Sequence, residues 1–380
     1  MNEQEVNFLY LSEADLIEAG VQDMAGCIDT MEELFSLMSK GDYMMGGPNG
    51  NEHGIKMRFP EHSEIKGMPL DKPDYRFVAM PAYVGGPYKM CGIKCYGSNQ
   101  ENRKKELPRS ILMITLMDYV SGVPLAYMSA NEISAIRTGA VPGLGARYLS
   151  VKEPKTAAII GPGVMGRTAI DAFLTEKPSI TKVKVKGRSQ SGIDGFIDYC
   201  RERFPKVTDF EICSTDEEAC RDADIVYFGT TNAPVFEDNP RVEESWLKPG
   251  ALVMSTSALL VDDGFMSDKT RCKLISDNYK MYEGWGVGQE LPTQKTVSSL
   301  IGMKFYDLVA SGQIAREDIT DIGDIINGYA PGRDSEDQII IYAVGGMPTE
   351  DVAWGSKLYH TALEKNIGTP LMLWDKPAIA

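Results

Sequence analysis

A glycine-rich turn that follows a short apolar run constrains the fold of this chain more than any other stretch. Residues 156–168 have the sequence TAAIIGPGVMGRT, in which Gly161, Gly163 and Gly166 match the pattern G-x-G-x-x-G. In such a turn the first glycine allows a tight bend, the second lets the backbone approach a pyrophosphate, and the third lets the next helix pack against the strand. The amides at the start of that helix favour phosphate groups. The stretch therefore predicts a dinucleotide-binding turn, although glycines at this spacing also occur in ordinary turns.

The segments after this turn alternate between apolar strands and helices. We predict strands at residues 182–185, 209–213, 225–228, 252–255 and 273–276, and helices at residues 193–203 and 216–221. This alternation is typical of an α/β fold with a doubly wound parallel sheet of the Rossmann type, which binds ligands at the carboxyl ends of its strands. The alternative is a Rossmann-like domain that binds something other than a dinucleotide.

The end of the second predicted strand bears on which dinucleotide is bound. NAD sites place an acidic residue there for the ribose 2′-hydroxyl, whereas NADP sites place positive charge and small polar groups. Residues 187–191 are GRSQS, and no carboxylate occurs before Asp194. We therefore predict that Arg188 contacts a 2′-phosphate, which favours NADP(H) and leaves NAD(H) as the second choice. The alternative for Arg188 is a solvated position in a loop.

Composition and charge argue against several other classes of protein. The formal net charge of −15 is unfavourable for nucleic-acid binding, which needs a basic face. No apolar run reaches membrane-spanning length, and the acidic start MNEQEVNFLYLSEADL does not match a signal peptide. The seven scattered cysteines lack zinc or disulfide spacing, which indicates reduced thiols and a cytoplasmic location. Because His53, His62 and His360 lie far apart in the sequence, we predict neither a metal site nor a Ser-His-Asp triad.

Seven motifs spread over nearly the whole chain resemble the ornithine cyclodeaminase and mu-crystallin family. They are GIK at 92–94, LMDYVSGVPLAYM at 116–128, IRTGA at 136–140, GPGVMG at 161–166, TTNAPVF at 230–236, LKPGALV at 247–253 and DIGDIINGYAPGR at 321–333. The resemblance implies a dinucleotide-binding Rossmann domain at residues 146–309. It also implies a second, α+β domain for substrate binding and dimerisation, made of residues 1–145 and 310–380, and hence a homodimer.

The motif positions also give the expected cofactor contacts. They lie in the glycine turn, after the second predicted strand, and after the strands that end near residues 228 and 255. The predicted contacts are Gly161, Gly163, Val164, Met165, Gly166, Arg188, Ser189, Thr230, Thr231, Asn232, Ser255 and Thr256.

Three basic residues hold the substrate carboxylate in that family. By motif position they correspond here to Arg58 in KMRFP, Lys94 in GIKCY and Arg137 in AIRTG. Guanidinium groups suit bidentate carboxylate binding, and lysine adds a mobile point charge. Asn102 in QENRK matches an asparagine near this clamp and is a predicted substrate contact. Lys94 and Arg137 are the predicted catalytic residues, with Lys94 moving protons near an imine nitrogen if Arg58 and Arg137 ease its deprotonation.

The sequence departs from the cyclodeaminases after the LKPG turn. Those enzymes carry an aspartate there that handles the amine or the attacking water, whereas residues 254–260 are MSTSALL, and Asp262 and Asp263 come later. Serine and threonine are poor bases, so we predict an oxidoreductase that exchanges hydride between a nicotinamide and the C–N bond of a small amino or imino acid. The alternatives are a lyase that recycles NAD and releases ammonia, and a non-enzymatic small-ligand binder of the mu-crystallin type.

Two segments are longer than is usual for the family, at residues 43–76 and 97–109. Their mixed charge leaves two alternatives open, a binding region for a second polar substrate or a solvated loop.

Overall fold

The computed structural model describes residues 4–379. Its strands are β1 (Val6–Leu11), β2 (Tyr43–Met45), β3 (Ile55–Arg58), β4 (Arg76–Val84), β5 (Met90–Ser98), β6 (Ser110–Asp118), β7 (Pro124–Ser129), β8 (Thr156–Ile160), β9 (Lys182–Lys186), β10 (Asp209–Ile212), β11 (Ile225–Phe228), β12 (Arg241–Val242), β13 (Leu252–Ser255), β14 (Leu260–Val261), β15 (Cys272–Ser276), β16 (Ile319–Asp321), β17 (Ile339–Ala343) and β18 (Thr369–Trp374).

The α-helices are α1 (Glu13–Ala19), α2 (Met24–Ser39), α3 (Asn131–Leu149), α4 (Val164–Glu176), α5 (Gln190–Arg203), α6 (Asp216–Cys220), α7 (Asp263–Ser267), α8 (Tyr279–Gly286), α9 (Thr293–Thr296), α10 (Ile301–Ala310), α11 (Ile322–Ile326) and α12 (Pro348–Lys365). Short 3-10 helices occur at Gln100–Lys105, Phe236–Asp238, Glu244–Trp246 and Arg316–Asp318. In the part of the chain that the structure describes, no helix combines the length and apolar character needed to span a membrane.

The chain divides into two compact units. The described part of unit 1 comprises residues 4–23, 41–136 and 347–379. Unit 2 comprises residues 24–40 and 137–346. Helix α3 contains the boundary between residues 136 and 137, so one continuous helix carries the chain from unit 1 into unit 2.

Unit 1 is built on a mixed sheet with the strand order β18-β1-β7-β6-β5-β4-β2, and β3 also pairs with β4. Strands β1 and β7 are parallel, and the other pairs are antiparallel. One face of this sheet packs against α12, so closely that a Cβ at Gly92 would lie 2.7 Å from Val352. Alternate residues on that face are buried, as expected for a sheet with one covered side. They include Val78, Met80, Ile114, Leu116 and Met128.

Unit 2 contains an eight-stranded parallel sheet in the order β10-β9-β8-β11-β13-β17-β15-β16. The central strands are buried throughout, as in IVYF of β11 and LVMS of β13. Buried parallel strands flanked by helices form the doubly wound fold that the alternation predicts, and the α/β fold class is confirmed. The five strands predicted after the glycine turn are present, with ends that differ by one residue at most.

The compact units do not follow the predicted domain limits. Residues 310–346 were expected with the second domain, but β17 lies between β13 and β15 inside the parallel sheet of unit 2, and β16 lies at its edge. Helix α2 also belongs to unit 2. The reason is that sheet order depends on pairing between strands far apart in the chain, which local periodicity does not contain. The roles of the two units in substrate, cofactor and dimer binding stay predictions.

Candidate active site

The glycine turn of unit 2 lies at the point where the order of the parallel sheet reverses. From β8 the chain continues to β9 on one side, while β11 pairs on the other side. Gly161 follows β8 with a φ of 100°, and a Cβ there would lie 2.7 Å from the carbonyl oxygen of Gly229, which follows β11. Doubly wound sheets bind ligands at such a switch point, outside the carboxyl ends of the strands.

Gly163 and the start of α4 form an open cradle at this point. A Cβ on Gly163 would meet no atom within 4 Å, whereas a Cβ on Gly166 would lie 2.3 Å from the Gly161 carbonyl oxygen. Gly163 is the N-cap of α4 and supplies no side-chain hydrogen bond to the first helical amides, and Val164 beside it is 61% exposed. The residues thus fit the pyrophosphate of a dinucleotide, with Gly163, Val164 and Met165 supplying backbone and Gly161 and Gly166 supplying the close packing.

Arg188 is exposed just beyond the end of β9. Its neighbours are already engaged, since Lys186 pairs with Asp216 at 2.5 Å and Ser189 caps α5 by accepting a hydrogen bond from the Gly192 amide. Within residues 4–379, no carboxylate lies within 4 Å of the Arg188 guanidinium. The guanidinium is therefore open to an anionic ligand at the strand end where a cofactor ribose would lie.

The other predicted cofactor contacts differ in how accessible they are. Thr231 and Asn232 are exposed and Thr230 is half-buried after β11, and the Asn232 amide donates to Ser299 at 2.6 Å. Ser255 is 1% exposed, and its hydroxyl donates to the backbone carbonyl of Ser257 at 2.9 Å. The Thr256 hydroxyl shares a 2.6 Å hydrogen bond with Tyr227. These bonds shape the strand ends, so the geometry favours the residues after β11 over Ser255 as cofactor contacts.

Lys94 in unit 1 is a buried cation with a carboxylate partner. Its ammonium group donates to both carboxylate oxygens of Asp351 on α12, at 2.9 and 3.0 Å, and to the Ser134 hydroxyl at 2.8 Å. Lys94 is 2% exposed and Asp351 is fully buried. Removing one partner of such a pair lowers the free energy of unfolding, because the remaining charge is buried without its counter-charge.

Arg58 lies on the same face of the unit 1 sheet as Lys94, but at some distance from it. It pairs in register with Arg76 across β3 and β4, while Lys94 pairs with Met80 across β5 and β4. The two residues are therefore four positions apart along the strands and two strands apart across them, a Cα separation of roughly 16 Å. Arg58 and Lys94 belong to unit 1 and Arg137 to unit 2, so a common clamp of the three around one carboxylate stays a prediction.

Asn102 is used within its own loop. Its amide donates to the carbonyl oxygens of Pro108 and Arg109, at 3.1 and 3.4 Å. The structure therefore gives this side chain a role in shaping residues 97–109, and its contact with substrate stays a prediction.

Arg137 lies against a glycine turn of unit 2 that a buried aspartate holds in place. Gly346 has a φ of 73°, and a Cβ there would lie 2.7 Å from Nη1 of Arg137, which is 5% exposed. The Gly345 amide donates to Oδ2 of Asp277 at 2.6 Å, and the Tyr282 hydroxyl donates to Oδ1 at 2.9 Å. Asp277 follows β15 directly, so the end of this strand sets the turn that borders Arg137.

Burial raises the pKa of Asp277 to about 6, and the nearby Asp321 carboxylate adds to the rise. The unfolded chain then ionises this carboxyl group near its ordinary value of 3.8, whereas the folded chain holds the proton up to about pH 6. Between these values the folded state binds more protons, so the free energy of unfolding falls as the pH rises.

We therefore expect the free energy of unfolding of the wild type, relative to Asp277→Asn, to fall by roughly 2 kcal/mol between pH 4 and pH 7. Urea unfolding of both proteins across this range measures the difference. A difference that is constant or rises with pH would contradict the assignment.

Two residues of the site were missed by sequence reasoning. Asp277 could have been found, because it follows a predicted strand directly, where doubly wound sheets place functional side chains. Asp351 carries no comparable local pattern, and it lies 257 residues from its partner Lys94.

Comparison with known proteins decides the family. The model of the "Ornithine cyclodeaminase/mu-crystallin family" matches residues 20–366. The chain belongs to this family.

Several relatives are dehydrogenases or reductases of amino or imino acids. The chain is 27% identical to N-((2S)-2-amino-2-carboxyethyl)-L-glutamate dehydrogenase of Staphylococcus aureus, over 96% of this chain and 98% of that protein. The fold resembles an archaeal alanine dehydrogenase dimer with bound NAD, with a TM-score of 0.76, 23% identity and coverage of 97% and 100%. It also resembles a Thermococcus litoralis Δ1-pyrroline-2-carboxylate reductase in complex with NADH and L-proline, with a TM-score of 0.74, 23% identity and coverage of 95% and 99%.

Proposed function

We propose that this protein is an NAD(P)(H)-dependent oxidoreductase that acts on the C–N bond of a small amino or imino acid. The observation that carries the proposal is the open glycine cradle at the switch point of the parallel sheet, in a chain of this family. A dinucleotide bound there supplies a nicotinamide that donates or accepts hydride. Reduction of an imine then places the hydride on carbon and a proton on nitrogen, giving the amine and the oxidised cofactor.

The residues of the chain have distinct tasks in this proposal. Lys94, held by Asp351 and Ser134, presents a fixed ammonium group in unit 1. Arg137 presents a buried guanidinium in unit 2 against the Gly345–Gly346 turn. Fixed cations orient the carboxylate of an amino acid, and a fixed carboxylate restricts the position of its α-carbon. Positioning of this kind accounts for a large part of the rate in many enzymes.

The residues after β13 favour a reductase over a recycling lyase. The side chains of the last residue of this strand and of the next two residues are hydroxyls, and those of Ser255 and Ser257 lie within hydrogen-bond distance of backbone carbonyl groups. A lyase would need a base to activate water or the amine, and hydroxyls held in this way are poor bases.

The test is absorbance at 340 nm with NADPH and with NADH, on a panel of cyclic imines and of keto acids with amines. Stoichiometric oxidation of the nucleotide by one member is expected. Ammonia released from ornithine or lysine, without net change of the nucleotide, would instead establish the lyase. Nucleotide binding without either reaction would leave a small-ligand binder.

A preference for NADP(H) is part of the proposal, and Arg188 is the residue that supports it. A phosphate held by arginine through charge-assisted hydrogen bonds gains about 1.5–3 kcal/mol. Arg188→Ser is therefore expected to raise the Kd for NADPH by about 10- to 100-fold and to change the Kd for NADH less than twofold. Fluorescence titration measures both constants. Lys206→Ser removes the same charge at an exposed position before β10 and serves as the control. Equal losses for the two nucleotides in Arg188→Ser would refute the assignment.

We also propose that two copies of the chain associate through the uncovered face of the unit 1 sheet. That face carries exposed apolar side chains, including Ile55 at 71%, Met57 at 54% and Phe77 at 43%. A contiguous apolar patch on a sheet face is typical of an isologous interface. Sedimentation velocity should give about twice the chain mass of 41.8 kDa.

We further propose a cytoplasmic location for the protein. The five cysteines that are buried as thiols support it.

A further inference from the structure

All three N–H bonds of the Lys94 ammonium group are used within unit 1. A lysine ammonium group has three hydrogens to donate, and the structure shows three acceptors for them. Two are the carboxylate oxygens of Asp351, at 2.9 and 3.0 Å, and the third is the Ser134 hydroxyl at 2.8 Å. A substrate carboxylate can therefore accept a hydrogen bond from Lys94 itself only if it replaces one of these partners.

The members of this group differ in how closely the protein surrounds them. Asp351 is fully buried, and separating it from Lys94 would leave two buried charges without their counter-charges. Lys94 is 2% exposed, so the ammonium group is closed to a ligand. Ser134 is half-buried. The hydroxyl of Ser134 is therefore the part of this group that a small ligand can reach.

The start of α3 fixes the position of Ser134. The Asn131 side chain donates to the backbone carbonyl of Ser110 at 2.9 Å and accepts from the Leu112 amide at 3.0 Å, so the first turn of α3 is attached to β6. Strand β6 pairs with β5, which carries Lys94. The hydroxyl and the ammonium group are thus held by neighbouring elements of the same sheet, which keeps their separation constant.

A hydroxyl in this position can transmit the effect of the ammonium group to a ligand. A serine oxygen that accepts a hydrogen bond from an ammonium group directs its own O–H bond away from that group. The positive charge polarises the hydroxyl and makes the O–H a stronger donor. Carboxylates are acceptors that such a donor favours, because the acceptor is ionised.

We infer that Ser134 is a further substrate-binding residue, whose hydroxyl donates to the substrate carboxylate while it accepts from Lys94. Lys94 then acts on the substrate through Ser134, and Asp351 keeps the ammonium group aligned. This inference rests on the proposed function and deepens it, because it names the residue that makes the contact in unit 1.

The experiment compares the wild type, Ser134→Ala and Ser134→Thr with two ligands. One is Δ1-pyrroline-2-carboxylate, reduced by NADPH, and the other is pyrrole-2-carboxylate, an aromatic acid of the same ring size, titrated by calorimetry with NADP⁺ present. Ser134→Ala should raise the KM of the first and the Kd of the second by about 10- to 100-fold, with kcat, the Kd for NADPH and the urea midpoint nearly unchanged. Ser134→Thr keeps a hydroxyl group and should keep most of the affinity.

Ser150→Ala is the matched control. Ser150 is also half-buried, and its hydroxyl is also hydrogen-bonded, to the backbone carbonyl of Ala146 at 2.7 Å just after the end of α3. This variant should match the wild type in KM and in both Kd values.

A double-mutant cycle tests whether Lys94 acts through Ser134. Lys94→Met with Ser134→Ala should lose no more affinity for pyrrole-2-carboxylate than Lys94→Met alone, because either change interrupts the same chain of hydrogen bonds. Losses that add would overturn the inference. Tighter binding in Ser134→Ala would overturn it too, since the hydroxyl would then only shield the ammonium group.

The binding measurements separate this inference from the proposed function. If the wild type does not oxidise NADPH but binds pyrrole-2-carboxylate, and Ser134→Ala weakens that binding, the proposed reaction is wrong and the role of Ser134 stands. If NADPH is oxidised with the same KM in the wild type and in Ser134→Ala, the reaction stands and the role of Ser134 is wrong. A wild type that neither reacts with nor binds these acids would overturn both.

Discussion

Lys94→Met is expected to lower kcat/KM for imine reduction by roughly 100- to 1,000-fold and to leave the Kd for NADPH within twofold. The loss follows because the substitution removes a fixed positive charge without touching the glycine cradle in unit 2. The measurement is a steady-state assay at 340 nm with a parallel fluorescence titration of the nucleotide. Full activity in this variant would refute the role of Lys94.

Stability is a second consequence of the same substitution. Without the ammonium group, Asp351 stays buried and loses the positive charge that lies 2.9 Å from its Oδ1. Breaking a buried pair by removal of one partner costs about 3–5 kcal/mol. We therefore expect Lys94→Met to unfold at a lower urea concentration than the wild type.

The double variant Lys94→Met with Asp351→Asn separates stability from catalysis. It removes both charges, so most of the lost stability should return, because a neutral buried amide costs less than a buried carboxylate that has lost its ammonium partner. Activity should not return, since the cation is still missing. Recovery of both properties would mean that Lys94 acts only in folding.

Gly163→Ala is expected to raise the Kd for NADPH by roughly 10- to 100-fold while the urea midpoint stays unchanged. A Cβ at this position meets no protein atom within 4 Å, and the backbone angles of Gly163, φ −78° and ψ −161°, are open to alanine. The added methyl group therefore affects only a ligand that approaches the backbone. Fluorescence titration and urea unfolding measure the two effects.

Gly166→Ala provides the contrast within the same turn. Its Cβ would lie 2.3 Å from the backbone oxygen of Gly161, so the helix or the turn must move. Overpacking of this kind costs about 1–3 kcal/mol, and the variant should lose stability. If Gly163→Ala lost stability like Gly166→Ala and bound NADPH normally, the turn would be structural and the nucleotide would bind elsewhere.

The buried carboxylate of Asp351 shows why the partner of Lys94 was hard to foresee. Lys94 was recognised from a motif of three residues, but its partner lies on α12 at the other end of the chain. An amphipathic pattern predicts that one side of this helix is buried. It does not predict which lysine forms an ion pair with the aspartate on that side. The expectation that Arg58 and Arg137 surround Lys94 did not include this carboxylate, which holds the ammonium group in place.

The sequence alone determined what depends on neighbours in the chain. The glycine turn and the five strands after it are local patterns, and all are confirmed. Such elements follow from periodicity, turn chemistry and capping within a few residues. The family was recognisable for the same reason, because its motifs are short and keep their order along the chain.

Tertiary structure decided which distant segments share a sheet or a site. It placed β17 in the middle of the parallel sheet, set Asp277 against the turn beside Arg137, and joined Lys94 to Asp351. It also aligned Arg58 with Arg76 through the register of β3 with β4. Register and strand order are chosen by the burial of whole sheet faces, a free energy that belongs to the folded chain and to no single stretch of sequence.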